Sequence, residues 1–166
     1  GGSSLYGPGA FGGVINIITK RPEKEEMKLD LLYGDDTLYD GKLSVTKLLG
    51  AFKNRFSVES SGSEGYRYNT DFSQWTGSVN SNFDIPNGQA DVLFGANYKD
   101  FGANQFYSLN YPNQDERTDT RFIRIDAKIG EGDLIFEPRI YFRRHFDKYV
   151  LNKLAQSITA NYHTTY

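Results

Sequence analysis

The chain has 166 residues, no cysteine and a formal net charge of −2. That length suits one ordinary domain, the missing cysteine excludes a disulfide scaffold and a thiolate metal centre, and near-neutrality argues against the basic footprint of a nucleic-acid binder. No apolar stretch approaches the ~18 residues of a transmembrane helix, yet 12 Tyr, 12 Phe and 17 Gly are an unusual mix in a chain that is hydrophilic on average.

The first segment, "LYGPGAFGGVINIITKRP", places Gly7, Gly9 and Gly12 in the spacing G-x-G-x-x-G, with Val14 two residues on. A phosphate cradle of this kind needs a helix N-terminus after the glycines. Instead the glycines lead into Val14, Ile15, Ile17, Ile18 and Thr19, all β-branched, and Arg21-Pro22 then ends the run. That composition predicts a short buried strand. A kinase glycine loop keeps a strand there, and Asp100-Phe101-Gly102 spells D-F-G. No H-R-D precedes it, however, since the histidines are His145 and His163. The glycines therefore need another explanation.

From Met27 onward the pattern has period two, which predicts strands throughout and no amphipathic helix. Weaker strands are expected through Leu29–Tyr33, Lys42–Leu49 and Asn54–Ser60. "QWTGSVNSNF" sets Trp75, Val79 and Phe83 against Thr76, Ser78, Asn80 and Asn82. "QADVLFGANYK" sets Ala90, Val92, Phe94, Ala96 and Tyr98 against Asp91, Gly95, Asn97 and Lys99. "RFIRIDAKIG" is the clearest, with Ile123, Ile125, Ala127 and Ile129 against Phe122, Arg124, Asp126 and Lys128. "LIFEPRIYFRR" sets Leu134, Phe136, Ile140 and Phe142 against Glu137, Arg139, Tyr141 and Arg143, and an eighth strand is expected from near Ile158.

Period two does not say whether the apolar face meets a protein core or lipid. The better strands run about ten residues, the length of membrane-barrel strands, whereas globular strands peak near 5–6. The connections also alternate. "GAFKN", "DIPNGQ" and "GEGD" are tight, whereas "SGSEGYRYNTDFS", "DFGANQFYSLNYPNQDERTD" and "FDKYVLNKLAQS" are long and polar, with only "GDDTLYD" modest on that side. Tight turns on one side and long loops on the other describe an outer-membrane barrel. Tyr33, Trp75, Tyr98 and Phe142 are expected near strand ends, where aromatic girdles lie. On pattern alone a soluble antiparallel sandwich remains the alternative. Lys47 falls on the apolar side and is expected to snorkel at an interface. Pro138 should leave one carbonyl unpaired or mark a bulge. The first and last residues suggest a piece of a longer protein.

"SSLYGPGAFGGVINIITKRP" closely resembles the end of the plug domain of TonB-dependent outer-membrane receptors, which carry a Leu-Tyr-Gly…Gly-Gly-Val-Ile-Asn-Ile-Ile-Thr-Lys sequence just before the barrel. Tyr6, Gly7, Gly12, Gly13 and Asn16 carry the match. The resemblance implies an all-β fold. Residues 1–22 would end the plug, 23–27 would link, and 28–166 would form about the first eight strands of a 22-stranded antiparallel barrel. It also implies an outer-membrane location, lipid around the barrel and TonB acting through a preceding region. The implied activity is energy-coupled uptake of a scarce nutrient and not catalysis. "GYRYNTDF", "KDFGANQFYSLNYPNQDERTDT" and "PRIYFRRHFDKYVL" are similar to cobalamin receptors of Bacteroidetes-type bacteria, which makes cobalamin the leading ligand. A ferric siderophore or haem is the alternative.

Candidate binding residues crowd two long loops: Tyr66, Arg67, Tyr68, Asn69 and Asp71 in one, and Asn104, Gln105, Phe106, Tyr107 and Tyr111 in the other. Aromatics with amides suit a bulky, partly apolar, amide-rich ligand. Loop-to-loop packing is the structural alternative. No cofactor is expected, although Asp35, Asp36, Asp71, Asp115, Glu116 and Asp119 offer oxygens for a structural Ca²⁺, with Asp71, Asp115 and Asp119 foremost. His145, beside Arg143 and Arg144, is a weaker candidate for a metal or haem. Outer-membrane lipid hydrolase and passive porin are the readings from other classes; no G-x-S-x-G context supports the first.

Overall fold

The computed structural model describes residues 22–132, 134–155 and 160–166, and these form strands and connections without a helix. The eight strands are β1 (Glu26–Tyr33), β2 (Tyr39–Leu49), β3 (Phe52–Ser63), β4 (Phe72–Ile85), β5 (Gly88–Gly102), β6 (Asp115–Ile129), β7 (Arg139–Val150) and β8 (Ala160–Thr165). They lie in one antiparallel sheet in chain order, each joined to the next. The all-β reading is thus correct, and a soluble sandwich of two stacked sheets is not what these residues build. Tyr6, Gly7, Gly12, Gly13 and Asn16, the strand expected after them, and Ile158 lie outside the described residues. The first strand begins two residues before the expected start at 28, since Glu26 and Met27 already pair with Thr46 and Val45.

The two sides of the sheet connect differently. Links 50–51 and 86–87 hold two residues each, while links 34–38, 64–71 and 103–114 are longer. The link expected to be tight at "GEGD" is not: β7 begins at Arg139 and not at Leu134, which leaves 130–138 between the strands, joined to β6 by the Ile129–Phe136 bridge. Asn87, at φ 54°, makes the second tight turn, since Asn tolerates the left-handed region. The long loops are nevertheless shorter than the polar runs in the sequence. β5 continues to Gly102, β6 begins at Asp115 and β7 reaches Val150. Asp115–Arg121 is polar on both faces, so it carries no period-two contrast for a sequence reading to detect.

Pro138 marks no bulge. Asp126 pairs with Arg139 and Ile129 bridges to Phe136, so the register runs unbroken through the proline. Ala127 N donates to Pro138 O at 3.0 Å, but proline has no N–H to return the bond. Pro138→Val restores that donor. It should raise the urea-unfolding stability of the sheet by about 0.5–1.5 kcal/mol, the net worth of one hydrogen bond.

Directly paired residues share a face, so the register sorts side chains without ambiguity. One face is polar: row after row reads like Lys42–Glu59–Thr76–Asn97–Thr120–His145. The other carries Met27, Val45, Phe56, Val79, Phe94, Ile123 and Phe142 in a single row. Nothing among the described residues covers this apolar face. Leu31 is 76% exposed, Ile140 66% and Phe56 48%, and the buried apolar residues among those described are only Ala90, Ala103 and Val150. Each large side chain left in water forgoes about 1.5–3 kcal/mol, so the face demands an apolar environment.

Its polar interruptions are paired. Lys47 Nζ meets Glu25 Oε2 at 2.9 Å, and Ser81 Oγ donates to Asn54 Oδ1 at 2.7 Å. Below them Phe52 and Phe83 stack with centroids 5.6 Å apart.

On the loop side the apolar band has an aromatic edge. It ends at Tyr33 and Tyr39, which are directly paired, and one step lower at paired Trp75 and Tyr98. Phe146 stands in that same row on β7, four residues beyond Phe142.

Candidate ligand-facing loop cluster

Two loops meet above the loop side of β3–β6. Asn69 fastens them. It is buried, with φ 56°, a left-handed conformation that Asn adopts more readily than most residues. Its Nδ2 donates to Pro112 O at 2.8 Å and to Gln114 O at 2.7 Å. Its own carbonyl accepts Asn104 N at 3.0 Å. Asn104 Nδ2 then donates to Tyr68 O at 2.6 Å, and Tyr68 Oη donates to Asn113 Oδ1 at 2.7 Å. Gly102 is what lets the loops approach: a Cβ there would lie 2.6 Å from Asn69 Oδ1 and 2.7 Å from its carbonyl oxygen.

The ten candidate residues thus divide. Asn69 and Asn104 are spent on holding the loops together, and Tyr68 joins them through its hydroxyl. Gln105 folds back on its own loop, donating to Leu109 O at 2.8 Å, and the Asp71 carbonyl accepts Gly102 N at 2.9 Å. Tyr66, with the Arg67 guanidinium 5.2 Å from its ring centroid, is exposed, as are Phe106, Tyr107 and Tyr111. The amides are structural, and the aromatics form the exposed surface.

Two hollows open beside these loops on the polar face. One, of about 270 Å³, is lined by Tyr107, Glu116, Asp147 and Tyr149. The other, of about 280 Å³, lies among Thr70, Asp71, Phe72, Gln74, Lys99, Phe101 and Gly102. In the first, Tyr107 packs edge-on against Tyr149, with centroids 5.2 Å apart, and its hydroxyl donates to Glu116. Gln114 underpins both rings. It is fully buried, donates to Tyr149 Oη at 2.8 Å and accepts Tyr107 N at 3.3 Å. The meeting of Gln114, Glu116, Asp147 and Tyr149 was not legible in the sequence, because β7 had to be placed beside β6 before they met.

Burial first, and then the Glu116 carboxylate, push the Tyr107 phenol well above its ordinary pKa. A raised folded value means that the phenol's contribution to stability is intact below the ordinary tyrosine value, about 10. It is lost as pH rises from there through the folded pKa. Burial raises the Tyr149 phenol as well, so ultraviolet titration should show late-ionising tyrosines, and Tyr107→Phe should remove the latest step and leave that of Tyr149.

The acids do not converge on a metal. Asp119 is forked by Arg121 at 3.0 and 2.8 Å, and Asp115 faces Lys153 at 4.0 Å. Among the described residues no three His, Cys, Asp or Glu side chains are grouped so that they could hold an ion, which leaves Asp71, Asp115 and Asp119 without a shared site. His145 Nδ1 lies 2.7 Å from Thr120 Oγ1, on the polar face.

No family model matches the chain, and no solved structure matches it.

Proposed function

We propose that this chain is part of the transmembrane barrel of a TonB-dependent outer-membrane receptor, with residues 1–22 ending its plug and cobalamin as its nutrient. The observation that carries the membrane reading is the uncovered apolar face of a single eight-stranded meander. Strands of 14 and 15 residues in β4–β6 exceed the ≈ 9–11 needed to span, so their polar upper ends would stand above the bilayer and carry the docked loops. The receptor reading rests on the plug-like opening segment. The cobalamin reading rests on the loop segments and on exposed aromatics above acceptor-lined hollows, a surface suited to a bulky ligand with amide donors.

The test is uptake of labelled cyanocobalamin by cells dependent on the full-length receptor. Uptake is expected to vanish when the TonB system is removed or the proton-motive force is collapsed, while surface binding persists. Uptake indifferent to both would sink the transport reading. Binding of haem or a ferric siderophore in place of cobalamin would keep the class and change the nutrient.

A further inference from the structure

The hollow lined by Tyr107, Glu116, Asp147 and Tyr149 carries more negative charge than its surroundings answer. Glu116 pairs with Tyr149, and Thr118 with Asp147, so the two acids stand diagonally across β6 and β7 on the polar face. Diagonal neighbours lie ~7–8 Å apart, which lets one small group reach both carboxylates. Glu116 accepts the Tyr107 phenol and keeps its charge. Asp147 Oδ1 is shut off from solvent and has no hydrogen-bond partner among the described residues. A sheltered polar atom is costly to leave in that state.

The charged and titratable groups around the hollow are spent elsewhere. Lys99 pairs with Thr118 and so stands diagonally from Glu116, but its Nζ lies over the Phe101 ring, 4.6 Å from the centroid. Arg117 and Lys148 are on the opposite face, with Asp100 2.6 Å from Arg117. Lys153 faces Asp115 at 4.0 Å, and His145 lies 2.7 Å from Thr120 Oγ1. On β8, Asn161 stands opposite Tyr149 and His163 opposite Asp147, so a further strand flanks the hollow on that side. Among the described residues no ion pair reaches Glu116 or Asp147.

We propose that this hollow binds a small organic cation with N–H donors, an ammonium or guanidinium group on an alkyl chain. Its charge would meet both carboxylates, and one N–H would give Asp147 Oδ1 the charge-assisted bond it lacks. The rings of Tyr107 and Tyr149 would take the cation's face and its carbon stem. Gln114 fixes those walls, donating to Tyr149 Oη and accepting Tyr107 N. A bare metal ion is poorly served, because no third His, Cys, Asp or Glu joins the two acids. At about 270 Å³ the hollow is smaller than the ~300–1,000 Å³ that takes a drug-sized ligand, so it suits a single side-chain-sized group. The inference goes beyond the nutrient reading and does not depend on it, since the amide donors invoked there are neutral and charge is what distinguishes this hollow.

The test compares n-butylammonium with its neutral counterpart n-butyramide, titrated at pH 7.5 into the full-length protein and followed by saturation-transfer NMR. The ammonium is expected to bind at least tenfold more tightly than the amide. D147N should bring it down to the level of the amide, whereas D30N, on the same face at the far side of the sheet, should leave it unchanged. Potassium at the same concentration should not displace it; displacement would mark a general cation site and overturn the organic-cation assignment. Equal affinity for ammonium and amide overturns the inference even if the D147N variant fails to fold, because that comparison uses the unaltered protein. Neither outcome bears on the uptake experiment above, which stands or falls separately.

Discussion

On the proposed membrane-barrel reading, Ile125→Arg in the full-length protein is expected to cost about 2–4 kcal/mol, the penalty for an arginine on the lipid face near mid-bilayer, and to deplete the assembled protein from the membrane. Ile125 stands in the middle of the apolar stretch of β6, between Ile123 and Ala127, and pairs with Val92 and Ile140. Arg124, one residue away, faces the polar side, with its Nε 2.5 Å from Asp126 Oδ2. Arg124→Gln should cost less than Ile125→Arg, because Asp126 keeps Arg139 as a partner and is not left as an unpaired sheltered charge. Loss of Ile125 would harm a soluble core as well, so the discriminating measurement is accessibility. The chain has no cysteine, and a single one can be placed at 125 or at 124. A thiol at 125 should resist water-soluble maleimide and carry a spin label that oxygen reaches and a polar relaxant does not. A thiol at 124 should do the reverse. The reverse result at both positions would shift every strand by one residue, since register and facing are one quantity in a sheet.

The facing of side chains was legible in the sequence wherever the two faces differ chemically. Ile123, Ile125, Ala127 and Ile129 fall opposite Arg124 and Asp126, as period two alone requires, and Lys47 falls on the apolar side as expected. The upper halves of β5, β6 and β7 were not legible, because Asp100, Arg117 and Asp119 on one face and Lys99, Thr118 and Thr120 on the other give no contrast. Cross-strand chemistry was hidden for a different reason. Arg121 meets Arg144, and Glu116 meets Tyr149, only once the register of β6 on β7 is known, and a run of one strand does not contain it. The loops were located, but their internal division was not. Nothing in "GYRYNTDF" tells an asparagine that holds two carbonyls from a tyrosine that faces solvent.

That division sets the second large effect. Asn69→Ala removes both donations to Pro112 O and Gln114 O and leaves two sheltered carbonyls without that partner. Two hydrogen bonds at ~1 kcal/mol each and the strain of alanine at φ 56°, of order 1 kcal/mol, make a local loss of about 2–4 kcal/mol. The loss should stay local, because the ladders of β3–β6 do not depend on Asn69. The unfolding midpoint of the sheet should hardly move. Hydrogen exchange across residues 103–114 should rise by two to three orders of magnitude, and proteases should cut there. Asn69→Gly removes the same bonds without the backbone strain, so the difference between the two variants isolates the conformational part. Ligand affinity should fall in both, although the Asn69 side chain is turned away into the loop junction, because Phe106, Tyr107 and Tyr111 ride on the segment it anchors. If exchange in 103–114 stays at its original rate in both variants, Asn69 is not the fastener, and Gly102 with its close backbone contact must carry the docking. Gly102→Val then becomes the variant that releases the loops.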